Sequence, residues 1–73
     1  MVHSLSLQLR RDLERRVQAR TGRRVRNLTV ELLPERVVLR GCAGSYHVKQ
    51  LAQHGVRDVL PNIRLDNAIV VDS

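Results

Sequence analysis

The sequence contains no tryptophan and no phenylalanine, and Tyr46 is its only aromatic residue. A platform of aromatic rings on which unpaired bases could stack is thereby excluded. Cys42 is the only cysteine, so no intrachain disulfide can staple the fold, and a reducing compartment is the default. Pro34 and Pro61 are the only prolines and glycine occurs four times, with no low-complexity tract, linker or internal repeat. No apolar run approaches the ~20 residues of a membrane-spanning helix. Met1 to Leu9 mixes polar and apolar residues too evenly for the core of a signal peptide. The cytoplasm is therefore the default location. Negative charge is also scarce, with seven carboxylates against thirteen basic residues and a net charge of +6.

What is present is 42% apolar content in 73 residues, enough for one small α+β domain over residues 1–73 and too much for a disordered tail. A core drawn from so short a chain must take in nearly every Leu, Val and Ile. The charge is concentrated. Eight arginines (Arg10, Arg11, Arg15, Arg16, Arg20, Arg23, Arg24 and Arg26) stand against only Asp12 and Glu14 in the first third, whereas the remainder is balanced. A field of one sign on one segment can recruit nucleic acid, an anionic lipid surface or an acidic protein, or can keep a small domain soluble.

Leu5, Leu9, Leu13 and Val17 recur every four residues and form one apolar stripe along a helix. Ser4 or Ser6 is expected to cap its start, and Thr21-Gly22 to end it. Arg10 with Glu14, and Asp12 with Arg16, have the i,i+4 spacing of helix ion pairs. From Asn27 to Leu33 the residues alternate, putting Leu28, Val30 and Leu32 on one face of a strand. A turn at Leu33-Pro34-Glu35-Arg36 leads to a second strand over Val37–Cys42, closing an antiparallel hairpin. Ser45 is placed to cap a second helix carrying Val48, Leu51, Ala52, Val56 and Val59. Gly55 interrupts that helix, as expected of a residue lying against a neighbouring backbone. Beyond Pro61-Asn62, alternation in Asn67, Ile69 and Val71 marks a last strand.

The helix-strand-strand-helix-strand order predicts a core of Leu5, Leu9, Leu13, Val17, Leu28, Val30, Leu32, Val37, Leu39, Leu51, Ala52, Val56, Ile69 and Val71. Thr29, Glu31, Val38, Arg40, Ala68 and Val70 fall on the opposite sheet face. Val38 and Val70 there are expected to be exposed aliphatics beside Arg40. An exposed sheet with unpaired edges offers a surface for a protein partner or for a homo-oligomer.

Catalysis requires functional groups within hydrogen-bonding reach of one another. Cys42 and His47 flank a helix start, but the position six residues after the cysteine is Val48, not the arginine of a phosphatase loop. Ser45 lacks the flanking glycines of a nucleophile elbow. His47 and His54 are seven residues apart, too far for chelation from one helix, and His3 lies near the terminus. Gly41-Cys42-Ala43-Gly44 spells the G-x-x-G of a backbone-clamping RNA loop, but it follows a strand rather than joining two helices. The expectation is a protein that is not an enzyme, with no metal, cofactor or small-molecule substrate.

The pattern Val37-x-Leu39-x-Gly41, followed by Ala43, Ser45, Lys49 and Ala52, resembles the BON domain, a module named after bacterial osmotic-stress and nodulation proteins. The closing Asn67-x-Ile69-x-Val71 is similar to the family's last strand, and the resemblance spans about residues 9–72. Two departures stand out. Asn62-Ile63 occupies the usual glycine–valine position, and the connection over Pro61–Leu65 is one residue short. The resemblance implies a three-stranded mixed sheet with two helices on one face. It also implies a non-enzymatic role in attachment to phospholipid or envelope components, at a peripheral-membrane or periplasmic location. Together with the charge, it makes Arg10, Arg11, Arg15, Arg23, Arg24 and Arg26 the expected anion-binding surface, with a phospholipid surface or protein as partner. Nucleic-acid backbone is the alternative ligand. Val38, Arg40 and Val70 are the expected second interface.

Overall fold

A computed structural model describes the backbone of residues 2–72 and the side chains of residues 7–72. The order is α1 (Val2–Thr21), β1 (Val25–Leu32), β2 (Arg36–Ala43), α2 (Tyr46–Val59) and β3 (Arg64–Val71). The strands form one sheet in the order β1-β2-β3, antiparallel between β1 and β2 and parallel between β2 and β3. The α+β architecture expected from the sequence is thus the one observed. Two helices pack against each other and against one face, α1 mainly over β1 and α2 mainly over β3.

The core is aliphatic throughout. Leu13 and Val17 of α1, Val30 of β1, Val37 and Leu39 of β2, Ala52 and Val56 of α2 and Ile69 of β3 are buried, as the periodicity requires. Leu9, Leu28, Leu32 and Leu51 are half-buried at its margin. The Leu5 side chain lies outside the described residues. Val71 corrects the expectation. It has the right parity for the helix face but is the last residue of an edge strand, and it remains 40% exposed. Val25, Ala43 and Val48 join the core in addition, as does Thr21, whose Oγ1 donates to the Val17 carbonyl at 2.9 Å.

α1 begins at Val2, so Ser4 and Ser6 fall within the helix rather than capping it. Its other end follows the expected rule. Gly22 and Arg23 take positive φ of 62° and 60°, and the Arg23 amide donates to the Gln18 carbonyl at 2.8 Å. This six-to-one bond, with glycine just past the helix, reverses the chain into β1. The hairpin turn is closed by the Leu33 amide and the Arg36 carbonyl at 2.9 Å. Ser45 caps α2, its Oγ accepting from the Val48 amide at 3.2 Å.

β1 contains a bulge. Its register with β2 shifts between Arg26↔Cys42 and Thr29↔Arg40, so Asn27 and Leu28 together oppose Gly41. Asn27 adopts φ 55°, a conformation that asparagine tolerates better than most residues. Gly41 sits at φ 152°, where an added Cβ would lie 2.9 Å from the Arg26 carbonyl oxygen. The bulge also reverses side-chain parity, bringing Val25 and Leu28 to the helix face together.

Gly55 performs the role expected of it. A Cβ there would stand 2.9 Å from Val17 Cα and 3.2 Å from the Arg16 carbonyl oxygen, both backbone atoms of α1. The helices touch main chain to main chain at this point. Gly55→Ala gains about 1 kcal/mol of helix propensity, yet it forces the helices apart at a cost of about 1–3 kcal/mol. We expect a lower melting temperature for this variant; an unchanged or raised one contradicts the close helix contact.

A second link between the helices is the ion pair of Arg20 and Asp58, with Nε–Oδ2 at 2.6 Å and Nη2–Oδ1 at 2.8 Å. The bidentate hydrogen bonds from Arg20, reinforced by its charge, hold the Asp58 carboxyl below its ordinary value. Because the folded-state pKa is depressed, the pair's contribution is complete above the ordinary carboxylate range near about pH 4. It is lost as pH falls through the lowered folded value. Melting curves of wild type and Asp58→Asn should therefore converge on acidification; a constant separation contradicts the pairing.

Candidate functional site

The basic residues are sorted by where the chain places carboxylates. Arg26 is held by Asp72 through contacts of 2.8 and 2.6 Å, Arg36 lies 2.9 Å from Asp66, and Arg40 lies 3.7 Å from Glu31. The Arg36–Asp66 and Arg40–Glu31 pairs cross between strands on the sheet face opposite the helices, and Asp72 lies just past the end of β3. Arg20 turns toward α2 and Asp58, while Arg10 approaches Glu14 only to 4.0 Å. Asp12 and Arg16 make no such pair.

Among the described residues, this leaves Arg11, Arg15, Arg16, Arg23 and Arg24 around α1, and Lys49, Arg57 and Arg64 elsewhere, with no carboxylate within 4 Å. Leu9, Leu13 and Val17 face the core, so helical geometry turns Arg11 and Arg15, four residues apart, toward solvent. Arg15 is the hub. It borders Arg11 with Gln8 and Asp12, borders Arg16 with Ala19 and Val59, and shares with Arg23 a cleft of about 570 Å³. That cleft is completed by Glu14, Gln18, Ala19 and Leu28. Gln18 Nε2 donates to the Val25 carbonyl at 3.3 Å, while its buried Oε1 has no hydrogen-bond partner within the protein.

The six expected basic residues are therefore not equivalent. Arg11, Arg15 and Arg23 lie on one continuous surface, and Arg10 flanks it. Arg24 bends back, its Nε donating to the Thr21 carbonyl at 2.8 Å. Arg26 points to the other face of the molecule, neutralised by Asp72. Arg16, which lines a separate depression with Asp12, Arg15, Ala19 and Val59, is absent from the expected set. Its spacing of four from Asp12 points to an ion pair instead.

The expected sheet-face interface also changes. Val38 is only 5% exposed. Its register partners are Glu31 and Asp66, whose carboxylates reach the flanking Arg40 and Arg36. Val38 thus lies between two cross-strand ion pairs, whose side chains can shield it from water. Arg40 is occupied by Glu31, leaving Val70, 60% exposed, as the one apolar side chain of the three that faces solvent.

The residues that could suggest chemistry remain apart. Cys42 is half-buried on the sheet between Arg26 and Val70, and His47 and His54 are exposed on α2. Among the described residues, no three His, Cys, Asp or Glu side chains gather where they could hold a metal. No described helix is long and apolar enough to cross a membrane. Searches of protein-family models, curated proteins and solved structures find no match to this chain.

Proposed function

We propose that the protein is a non-enzymatic attachment module whose α1 surface, centred on Arg15, engages an anionic phospholipid surface or an acidic protein. The observation that carries this reading is the clustering around Arg15 of Arg11, Arg16 and Arg23, none with a carboxylate partner within 4 Å, whereas the unpaired Lys49, Arg57 and Arg64 lie on α2 and β3. Unmatched guanidinium groups on a rigid helix favour bidentate contact with phosphate or carboxylate. Each arginine near an anionic bilayer contributes about 1 kcal/mol, so several give reversible attachment without any inserted chain. The resemblance to the BON domain supports the same class of partner. It is the likeness of Val37-x-Leu39-x-Gly41 through Ala52, with Asn67-x-Ile69-x-Val71, that carries it.

Nucleic-acid backbone is the second reading, because the same arginines could displace counterions from phosphates. A competition experiment separates the two at about 150 mM salt, where the Debye length is ~8 Å. Labelled protein bound to vesicles containing phosphatidylglycerol is challenged with duplex DNA of equal phosphate content. We expect it to stay on the vesicles. Transfer to DNA favours the second reading, and failure to bind either directs attention to an acidic protein partner.

A further inference from the structure

We propose that two copies of this chain associate edge to edge through β3, forming one continuous six-stranded sheet with an antiparallel β3–β3 seam. The sheet has two free edges, and they differ. β1 is broken by its bulge, bent at Asn27 and lined with Arg26 and Glu31, devices that discourage pairing. β3 has no bulge and no positive φ, and its charges, Arg64 and Asp66, are confined to its first half. Its register with β2 is unbroken from Arg64 to Val71, and its final stretch, Ala68 to Val71, carries no charge. Val70 and Val71, two of the few exposed large aliphatics among the described residues, lie there on opposite faces of the strand.

The ladder fixes which groups face outward. The Asp72 amide donates inward to the Ala43 carbonyl at 2.9 Å. Alternation along the strand therefore turns the main chain of Leu65, Asn67, Ile69 and Val71 toward solvent. The Ile69 amide confirms the direction, since it is met only by the Asn67 side chain, at 3.3 Å. A second β3 running antiparallel can pair these groups in several registers, and charge selects one. With Ala68 opposite Ala68 of the other copy, Leu65 faces Val71, Asp66 faces Val70, and Arg64 faces Asp72, the carboxylate that also holds Arg26 of its own chain. Arg64 has no carboxylate within 4 Å in its own chain. Moving the seam one residue toward the C-terminus sets Asp66 against Asp72 instead, which like-charge repulsion disfavours.

In the favoured register the two Ala68 residues form a non-hydrogen-bonded pair with Cα atoms about 4.5 Å apart. That separation lies within the ~4.4–6.8 Å spanned by a disulfide. The test uses Ala68→Cys and, as control, Thr29→Cys on the exposed face of β1, each combined with Cys42→Ser. Under mild oxidation Ala68→Cys should cross-link roughly a hundredfold faster than the control, because pairing raises the local thiol concentration. Sedimentation of the wild type up to about 1 mM, the range of weak association, should show twice the 8.4 kDa chain mass. Ala68→Lys, which sets two cations face to face, should sediment as a monomer with an unchanged circular-dichroism spectrum. A wild type that stays monomeric at that concentration overturns the proposal. So does a dimer that survives Ala68→Lys, or equal cross-linking rates. Glutamine substitutions on α1 should leave the dimer intact, which keeps this test independent of the anionic-surface reading.

Discussion

Leu39→Ala is expected to lower the unfolding free energy by about 2–5 kcal/mol, the cost of lost burial plus an unfilled cavity. Leu39 is fully buried at the middle of the central strand, paired with Val30 on one side and Asn67 on the other. Neither neighbouring strand can close over the gap without breaking its own ladder, so relaxation is limited. A domain of 73 residues has a total stability of only about 4–11 kcal/mol, at roughly 0.05–0.15 per residue. The substitution therefore removes a large share of it. Chemical denaturation checks this directly: the midpoint should fall sharply with little change in slope. An unchanged midpoint contradicts the central place given to Leu39.

The second large effect falls on binding rather than folding. Replacing Arg11, Arg15, Arg16 and Arg23 by glutamine should weaken attachment to anionic vesicles by roughly a thousandfold. About 1 kcal/mol is lost for each arginine, and each 1.4 kcal/mol is tenfold in affinity. The fold should survive, because all four side chains are exposed and none makes an ion pair within the protein. Arg26→Gln is the internal contrast. It was part of the basic segment in sequence, yet Asp72 already neutralises it on the opposite face. Its loss should leave vesicle binding within about twofold, in keeping with the small effect of an exposed ion pair. Equal losses for Arg26 and for Arg15 in single-site titrations contradict the division of the arginines into paired and unpaired groups.

The periodic elements were legible in the sequence because their environments are uniform. Leu13 and Val17 repeat on one helix face, and Val37 and Leu39 alternate on one strand, each with no local interruption. Gly55 was legible too, since a glycine amid good helix formers has few uses besides close approach. Val25 was not. Reading backward by twos from Leu28 puts Arg26 inward and Val25 outward, and only the bulge at Asn27 inverts them. Val38 was misjudged for a different reason. Its solvent-facing parity was correct, but its burial depends on Glu31 and Asp66, distant in sequence, being brought beside it with their arginine partners. The basic surface likewise depends on residues distant in sequence. Composition placed the charge on the first third of the chain, but which arginines stay unmatched depends on Asp58 and Asp72, supplied by its far end.

The most direct measurement compares three proteins by co-sedimentation with phosphatidylglycerol-containing vesicles at about 150 mM salt, where screening is near physiological. They are the wild type, the Arg11, Arg15, Arg16 and Arg23 to glutamine variant, and the same four positions changed to lysine. Wild type and the lysine variant should pellet with the vesicles while the glutamine variant stays in the supernatant, all three with the same circular-dichroism spectrum. A glutamine variant that pellets as well as the wild type would contradict attachment through these arginines.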